Sequence, residues 1–261
     1  MLKLTGRYYQ SIPIDQAHAQ TEDIEFDPAR TALVVLHCWD IGCEGGPEID
    51  RNYLVGMGFY ENFREAERMM RQCIRPSMDA ARNAGILVCH VEGADIWRKH
   101  PACQEELDPP SPPAPASTPL PGPAVPGWRD HILARAHGKD YATQSPYARM
   151  DRAKVVAAQP GEPFVYQTGQ LHRVLRRYGI ENLIYAGFAT DMCILRAQGG
   201  AEPMATLGYR LFLMRDATLG VEYPDSFEER LATRWGIRYF ETHCGDTVIS
   251  SDFIRACEAL L

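Results

Sequence analysis

Six short apolar runs, most of them followed by a segment of helical periodicity, constrain this chain more than any single motif. They are Thr31–Leu36 (T-A-L-V-V-L), Ile86–Val91 (I-L-V-C-H-V), Phe164–Tyr166, Asn182–Ala186, Tyr209–Met214 and a sixth near Arg238–His243. Runs that are short and largely unbroken by polar residues read as strands covered on both faces. Between them, Tyr60–Ala84 repeats apolar side chains at helical spacing through Phe63, Ala66, Met69, Met70, Ile74 and Met78. A kink or break is expected at Pro76 and an end at Gly85. Leu171–Tyr178, Met192–Leu207 and Ser226–Trp235 supply further helices. The alternation predicts an α/β fold: a three-layer, Rossmann-like, mostly parallel six-stranded sheet with helices on both faces.

The pattern is interrupted once. Pro109–Pro126 holds nine prolines in eighteen residues, too many for a helix or a central strand. It reads as a polyproline-like excursion within an insertion at about 101–150. The rest of 1–261 is expected to form one domain, and 261 residues suffice for one large, well-buried core.

Composition narrows the classes of function. A hydrophobic fraction of 45% with 23% charged residues is that of an ordinary soluble protein. The net charge of −7, with no compensating block of Lys and Arg, argues against nucleic-acid binding. Arg173, Arg176 and Arg177 read as the solvated face of a helix. No window approaches 18 uninterrupted apolar residues, so no membrane span is expected. The first 25 residues lack an apolar core, so the expected location is the cytoplasm. The eight cysteines (38, 43, 73, 89, 103, 193, 244, 257) are scattered without C-x-x-C pairs, as expected of reduced thiols.

Leu183–Cys193, L-I-Y-A-G-F-A-T-D-M-C, carries the chemistry. An apolar strand ends at Gly187, Thr190 is a candidate N-cap, and Cys193 falls in the first turn of the following helix. Free N–H groups and partial positive charge at a helix start stabilise a thiolate and can bind a developing oxyanion. The competing reading is a small buried hydrophobe.

With these elements in order, the chain resembles the isochorismatase-like cysteine hydrolases, the superfamily of nicotinamidases, N-carbamoylsarcosine amidases and ureidoacrylate hydrolases. The resemblance covers roughly 31–91 and 162–253. T-A-L-V-V-L-H-C-W-D resembles the family's first strand, and L-I-Y-A-G-F-A-T-D-M-C-I its G-x-x-T-[ND]-x-C-V nucleophile turn. G-Y-R-L-F-L-M-R-D-A resembles the strand after it, and T-V-I-S-S-D-F the closing segment.

The resemblance implies Cys193 as the nucleophile, activated by an Asp at the first strand end and assisted by a Lys at the third. Those two positions carry His37 and Gln167 here. The nearest upstream lysine, Lys154, is a weaker match. Histidine beside cysteine is itself a competent pair, so His37 is read as base and then acid. Asp40 is a candidate to orient it or to act as the acid. Gln167 cannot move protons, but its amide can donate to a substrate carbonyl. The resemblance also implies a non-proline cis bond at Phe188–Ala189 and an oxyanion hole from the N–H groups of Ala189 and Cys193. Trp39, Phe188 and Trp97 are candidate pocket walls, Glu222 a candidate substrate contact, and Asp216 a local structural cap.

His90, Glu92, Asp95 and His100 are metal-ligand types after the second strand, but the D-x-H…H arrangement of nicotinamidases is absent, so no metal or other cofactor is expected. The implied activity is hydrolysis of a C–N bond in a small amide, ureido or imide substrate through a thioester. The alternative is a catalytically degenerate binding or regulatory protein of the same fold. Vinyl-ether hydrolysis ranks behind both, because it depends on the missing acid. Family members are commonly dimers or tetramers, so a homo-oligomer is expected.

Overall fold

The computed structural model describes residues 1–51, 59–101, 104–107, 122 and 125–261. Most of the Pro-rich stretch lies outside them. Its eight-stranded sheet runs β2-β1-β8-β7-β6-β3-β4-β5, with β1 Leu2–Gln10, β2 His18–Phe26, β3 Thr31–Leu36, β4 Leu87–Val91, β5 Phe164–Val165, β6 Asn182–Phe188, β7 Arg210–Leu219 and β8 Gly245–Val248. Strands β3 to β8 are mutually parallel, as expected of six strands joined by crossovers. The hairpin β1–β2 adds two antiparallel strands at one edge, through a single bridge between Arg7 and Thr247 on β8.

The unbroken apolar character of β3 has a direct cause: both faces are covered. Leu33 and Val35 face one helical layer, built from α1 (Tyr60–Met69), α2 (Arg75–Asn83) and α10 (Ser250–Glu258) through Phe63, Met78 and Phe253. Ala32, Val34 and Leu36 face the other, built from α6 (Thr168–Arg177), α7 (Cys193–Arg196), α8 (Ala201–Ala205) and α9 (Leu231–His243). Helices α3 (Ala94–Trp97), α4 (Trp128–His137) and α5 (Tyr141–Gln144) lie between β4 and β5.

Several boundaries differ from the sequence reading. Arg238–His243 belongs to α9, and the last strand is Gly245–Val248. Of the buried residues of α9, Thr233, Gly236 and Phe240 recur at helical spacing, which outweighs a short apolar run. Pro76 does not break its helix. A single π-turn, Met70–Ile74, precedes it, and the Arg75 N–H bonds five residues back to Met70. The widened turn relieves the clash a proline ring makes with the turn before it. The predicted helix Met192–Leu207 is two short pieces, α7 and α8.

Among the described residues, no helix is long and apolar enough to cross a membrane. The seven described cysteines form no disulfide.

Candidate active site

The carboxyl ends of β6, β3 and β4 lie side by side and bring Cys193, His37 and Glu92 to one edge of the sheet. Strand β6 meets β3 so closely that a side chain at Gly187 would put Cβ 1.9 Å from the Leu36 carbonyl oxygen, and its φ of +124° is one L-residues avoid. Glycine is therefore required where the strand turns into the cysteine segment. The Phe188–Ala189 peptide is cis, the position the resemblance implies.

Cys193 is the first residue of α7 and half-buried. The turn before it is fixed by hydrogen bonds from Met192 and Ile194 N–H to the Ala189 carbonyl, at 3.1 and 3.0 Å. Thr190 does not cap the helix. Its hydroxyl meets Thr218 Oγ1 on β7 at 2.7 Å, and the helix starts two residues later than a Thr190 cap requires, with Met192 at the N-cap. Asp191 Oδ1 accepts from the Val221 N–H at 2.9 Å. On the outer side, Gly236 of α9 presses against the Thr190–Asp191 backbone, where a Cβ would lie 2.8–2.9 Å from main-chain atoms.

Electrostatics at the sulfur differ from the sequence expectation. Burial raises the Cys193 thiol, and the charges of Asp191 and Glu92 raise it further; the Ala189 N–H, which faces the sulfur, opposes them. A helix of four residues supplies little dipole, so desolvation wins and the free protein holds a thiol.

His37 sits just past β3 in the left-handed region (φ 49°), its N–H bonded to the Val91 carbonyl at 2.9 Å. Burial and the nearby Arg152 cation pull its imidazole down to about 4, so the ring is neutral. Its Nδ1 is buried without a hydrogen-bond partner, and among the described residues no hydrogen bond joins it to Cys193. Its ring stacks on Trp39, with centroids 5.6 Å apart.

The strongest polar feature here is a pair the sequence reading did not assemble. Glu92 and Arg152, both buried, meet at 2.6 Å. Glu92 also accepts from the Cys38 N–H at 3.1 Å and from Trp39 Nε1 at 3.2 Å. Arg152 Nε donates to the Val156 carbonyl at 3.0 Å, while its Nη2 is buried and unpaired. Glu92 was legible as a carboxylate closing an apolar strand. Arg152, sixty residues on and beyond the Pro-rich stretch, is brought to it by a bridge that pairs its backbone with Trp39.

Other sequence candidates have structural partners. Gln167 is the N-cap of α6, where the Gln170 side chain accepts from the N–H groups of Tyr166 and Gln167. Asp40 accepts from the Asp151 N–H at 2.7 Å and ties its loop to the segment that carries Arg152. Glu222 is buried and accepts from Ser226 Oγ and from the Ala232 and Thr233 N–H groups at the start of α9. Burial favours its neutral form, yet these donors hold its carboxyl below the usual range. Asp216 caps α10 through the Ser250 N–H and hydroxyl, as expected. Phe188 is buried, and Trp97 donates to the Phe164 carbonyl in a separate cluster.

The metal-ligand types do not converge. His90 bonds Glu162, Asp95 pairs with Arg98, and His100 bonds Asp151. Among the described residues, no group of three or more such side chains could hold a metal.

No protein-family model matches the chain. Its fold is the isochorismatase-like α/β fold. A cysteine hydrolase from Pseudomonas syringae pv. phaseolicola 1448A superposes with a TM-score of 0.55 at 15% identity, over 90% of this chain and 96% of that one. A putative isochorismatase from Burkholderia xenovorans LB400 superposes with a TM-score of 0.50 at 19% identity, over 88% of each chain.

Proposed function

We propose that this protein is a cysteine-dependent hydrolase that cleaves a C–N bond in a small amide, ureido or imide substrate. The observation that carries the reading is the setting of Cys193: first residue of a helix, at the carboxyl edge of a parallel sheet, with the Ala189 N–H turned toward its sulfur. The fold shared with a cysteine hydrolase and the resemblance of the nucleophile turn support the same class.

In this reading the Cys193 thiolate attacks the substrate carbonyl. The oxyanion that forms is met by the N–H groups of Ala189 and Cys193, the latter among the amides a helix start leaves without an internal partner. The C–N bond breaks, an amine or ammonia leaves, and water hydrolyses the thioester. His37 and Trp39 form one wall of the site, and the sequence expectation of His37 as proton acceptor belongs to this reading. A binding protein of the same fold is the second reading, favoured by Gln167 being taken up in a helix cap.

Labelling tests the assignment. Cys38, Cys43 and Cys257 are each pushed by burial up to about 12, and Cys244 to about 11. Limited iodoacetamide at pH 7, read by peptide mass spectrometry, should modify Cys193 ahead of these four. Cys193→Ala should lose turnover across a panel of small amides and ureido acids. Equal labelling of all cysteines, or an active alanine variant, refutes the proposal.

A further inference from the structure

We propose that Glu92, held in place by Arg152, is the group that takes the proton from Cys193 and returns it to the leaving nitrogen. This rests on Cys193 being the nucleophile and adds the identity of its base.

The placement comes first. Glu92 follows the last residue of β4, and its carboxylate reaches across the end of β3, where it is fixed by the Cys38 N–H and Trp39 Nε1. Strand β3 is in turn the neighbour of β6, which leads into Cys193. Glu92 and Asp191 are the two carboxylates whose charge acts on the sulfur. Asp191 accepts from the Val221 N–H through Oδ1, whereas Glu92 is the one of the two that meets a buried cation, Arg152, at 2.6 Å.

Charge conservation separates Glu92 from His37. When thiol and carboxylate become thiolate and carboxylic acid, one negative charge moves and none is created. Arg152 faces one anion before and after, so the buried site never carries an unmatched charge. Transfer to His37 would create two new charges, one of them an imidazolium near the Arg152 guanidinium, which already depresses that ring. Burial also moves the Glu92 carboxyl upward, toward the thiol it must match.

The steps balance. The S–H bond breaks and an O–H bond forms on Glu92. The thiolate adds to the carbonyl carbon, the C–N bond breaks, and the Glu92 proton goes to the departing nitrogen. A water molecule then gives a proton to Glu92 as it attacks the thioester, and that proton returns to Cys193 as the sulfur leaves. Arg152 is a positioning residue throughout.

A pH profile of Cys193 alkylation tests this without a substrate. A thiol sharing its proton with a carboxylate reacts in two steps as pH rises. The lower step follows ionisation of the pair and leads to a plateau, and the upper follows loss of the second proton. Wild-type protein should show both. Glu92→Gln should lose the lower step and leave a single rise with pH. Glu92→Asp should keep it at reduced amplitude, and covers the case in which the glutamine variant does not fold. A lower step that survives in Glu92→Gln, that is missing from wild type, or that disappears in His37→Asn overturns the proposal. Absence of preferential Cys193 labelling in every variant instead overturns the nucleophile assignment.

Discussion

Removing Arg152 should expose how strongly the site depends on its buried ion pair. In Arg152→Met, Glu92 keeps the Cys38 and Trp39 hydrogen bonds but loses the cation 2.6 Å away, in a place where neither side chain is more than 2% exposed. Breaking one half of such a pair costs about 3–5 kcal/mol, because the remaining charge is desolvated and uncompensated. Glu92→Gln/Arg152→Met leaves no charge behind and should cost only about 1–2 kcal/mol, giving a coupling energy of at least about 2 kcal/mol in the cycle.

The sign with pH is fixed as well. Burial already raises the Glu92 carboxyl, and Arg152 is the first influence opposing it. Without Arg152 the folded protein binds this proton more tightly than the unfolded chain does. Stability is then fully present below the unfolded value of about 4.5 and falls as pH rises toward the folded one. Arg152→Met should thus be damaged less at pH 5 than at pH 8, by at least about 1 kcal/mol. Urea unfolding followed by tryptophan fluorescence at both pH values measures this. A single-variant cost below about 1 kcal/mol, or a cost independent of pH, would refute the reasoning.

Three further outcomes can be measured on the same preparation. Gly187→Ala drives a Cβ to 1.9 Å from the Leu36 oxygen at a φ of +124°, so soluble yield should collapse; a variant melting with the parent would contradict the β3–β6 contact. Burial takes His90 down to about 3, with the Arg152 charge acting in the same direction. The stability this gives is present above pH 6.5 and lost as pH falls toward 3, so His90 alone should cost about 1.4 kcal/mol between pH 7.5 and 5.5. His90→Gln should flatten that part of a urea-midpoint titration, and an unchanged slope would count against the assignment. Glu222→Ala strips the start of α9 of its acceptor and should lower stability by about 2–3 kcal/mol. A variant with intact stability but lost turnover would return Glu222 to the role of substrate contact.

How far the sequence reads depends on whether a residue's partners are local. The central strands were legible because burial on two faces leaves a contiguous apolar run, and Asp216 because capping is a short-range act. The hairpin β1–β2 was not. Only Leu2, Leu4, Ile24 and Phe26 are buried apolar positions there, and the polar remainder masks the alternation. At the site, Cys193 stood out because its turn has a motif. Arg152 carries no such signal, since its importance comes from folding beside Trp39 across a stretch of irregular chain. Glu92, taken for a possible metal ligand, acquires a different meaning only once its cation is in view.

The contact of Gly236 with the Thr190–Asp191 backbone bears on how this protein could be remodelled. A helix whose main chain rests on the turn before Cys193 leaves no side chain between them to act as a cushion. Substitutions that shift α9 would therefore be felt at the cysteine, however far from the substrate they are made. The loop after β3 is held as firmly, since the Asp40 N–H bonds the Asp151 carbonyl at 2.9 Å and Trp39 is bridged to Arg152. Libraries aimed at new substrates should leave both the seat of α9 and this bridge as they are.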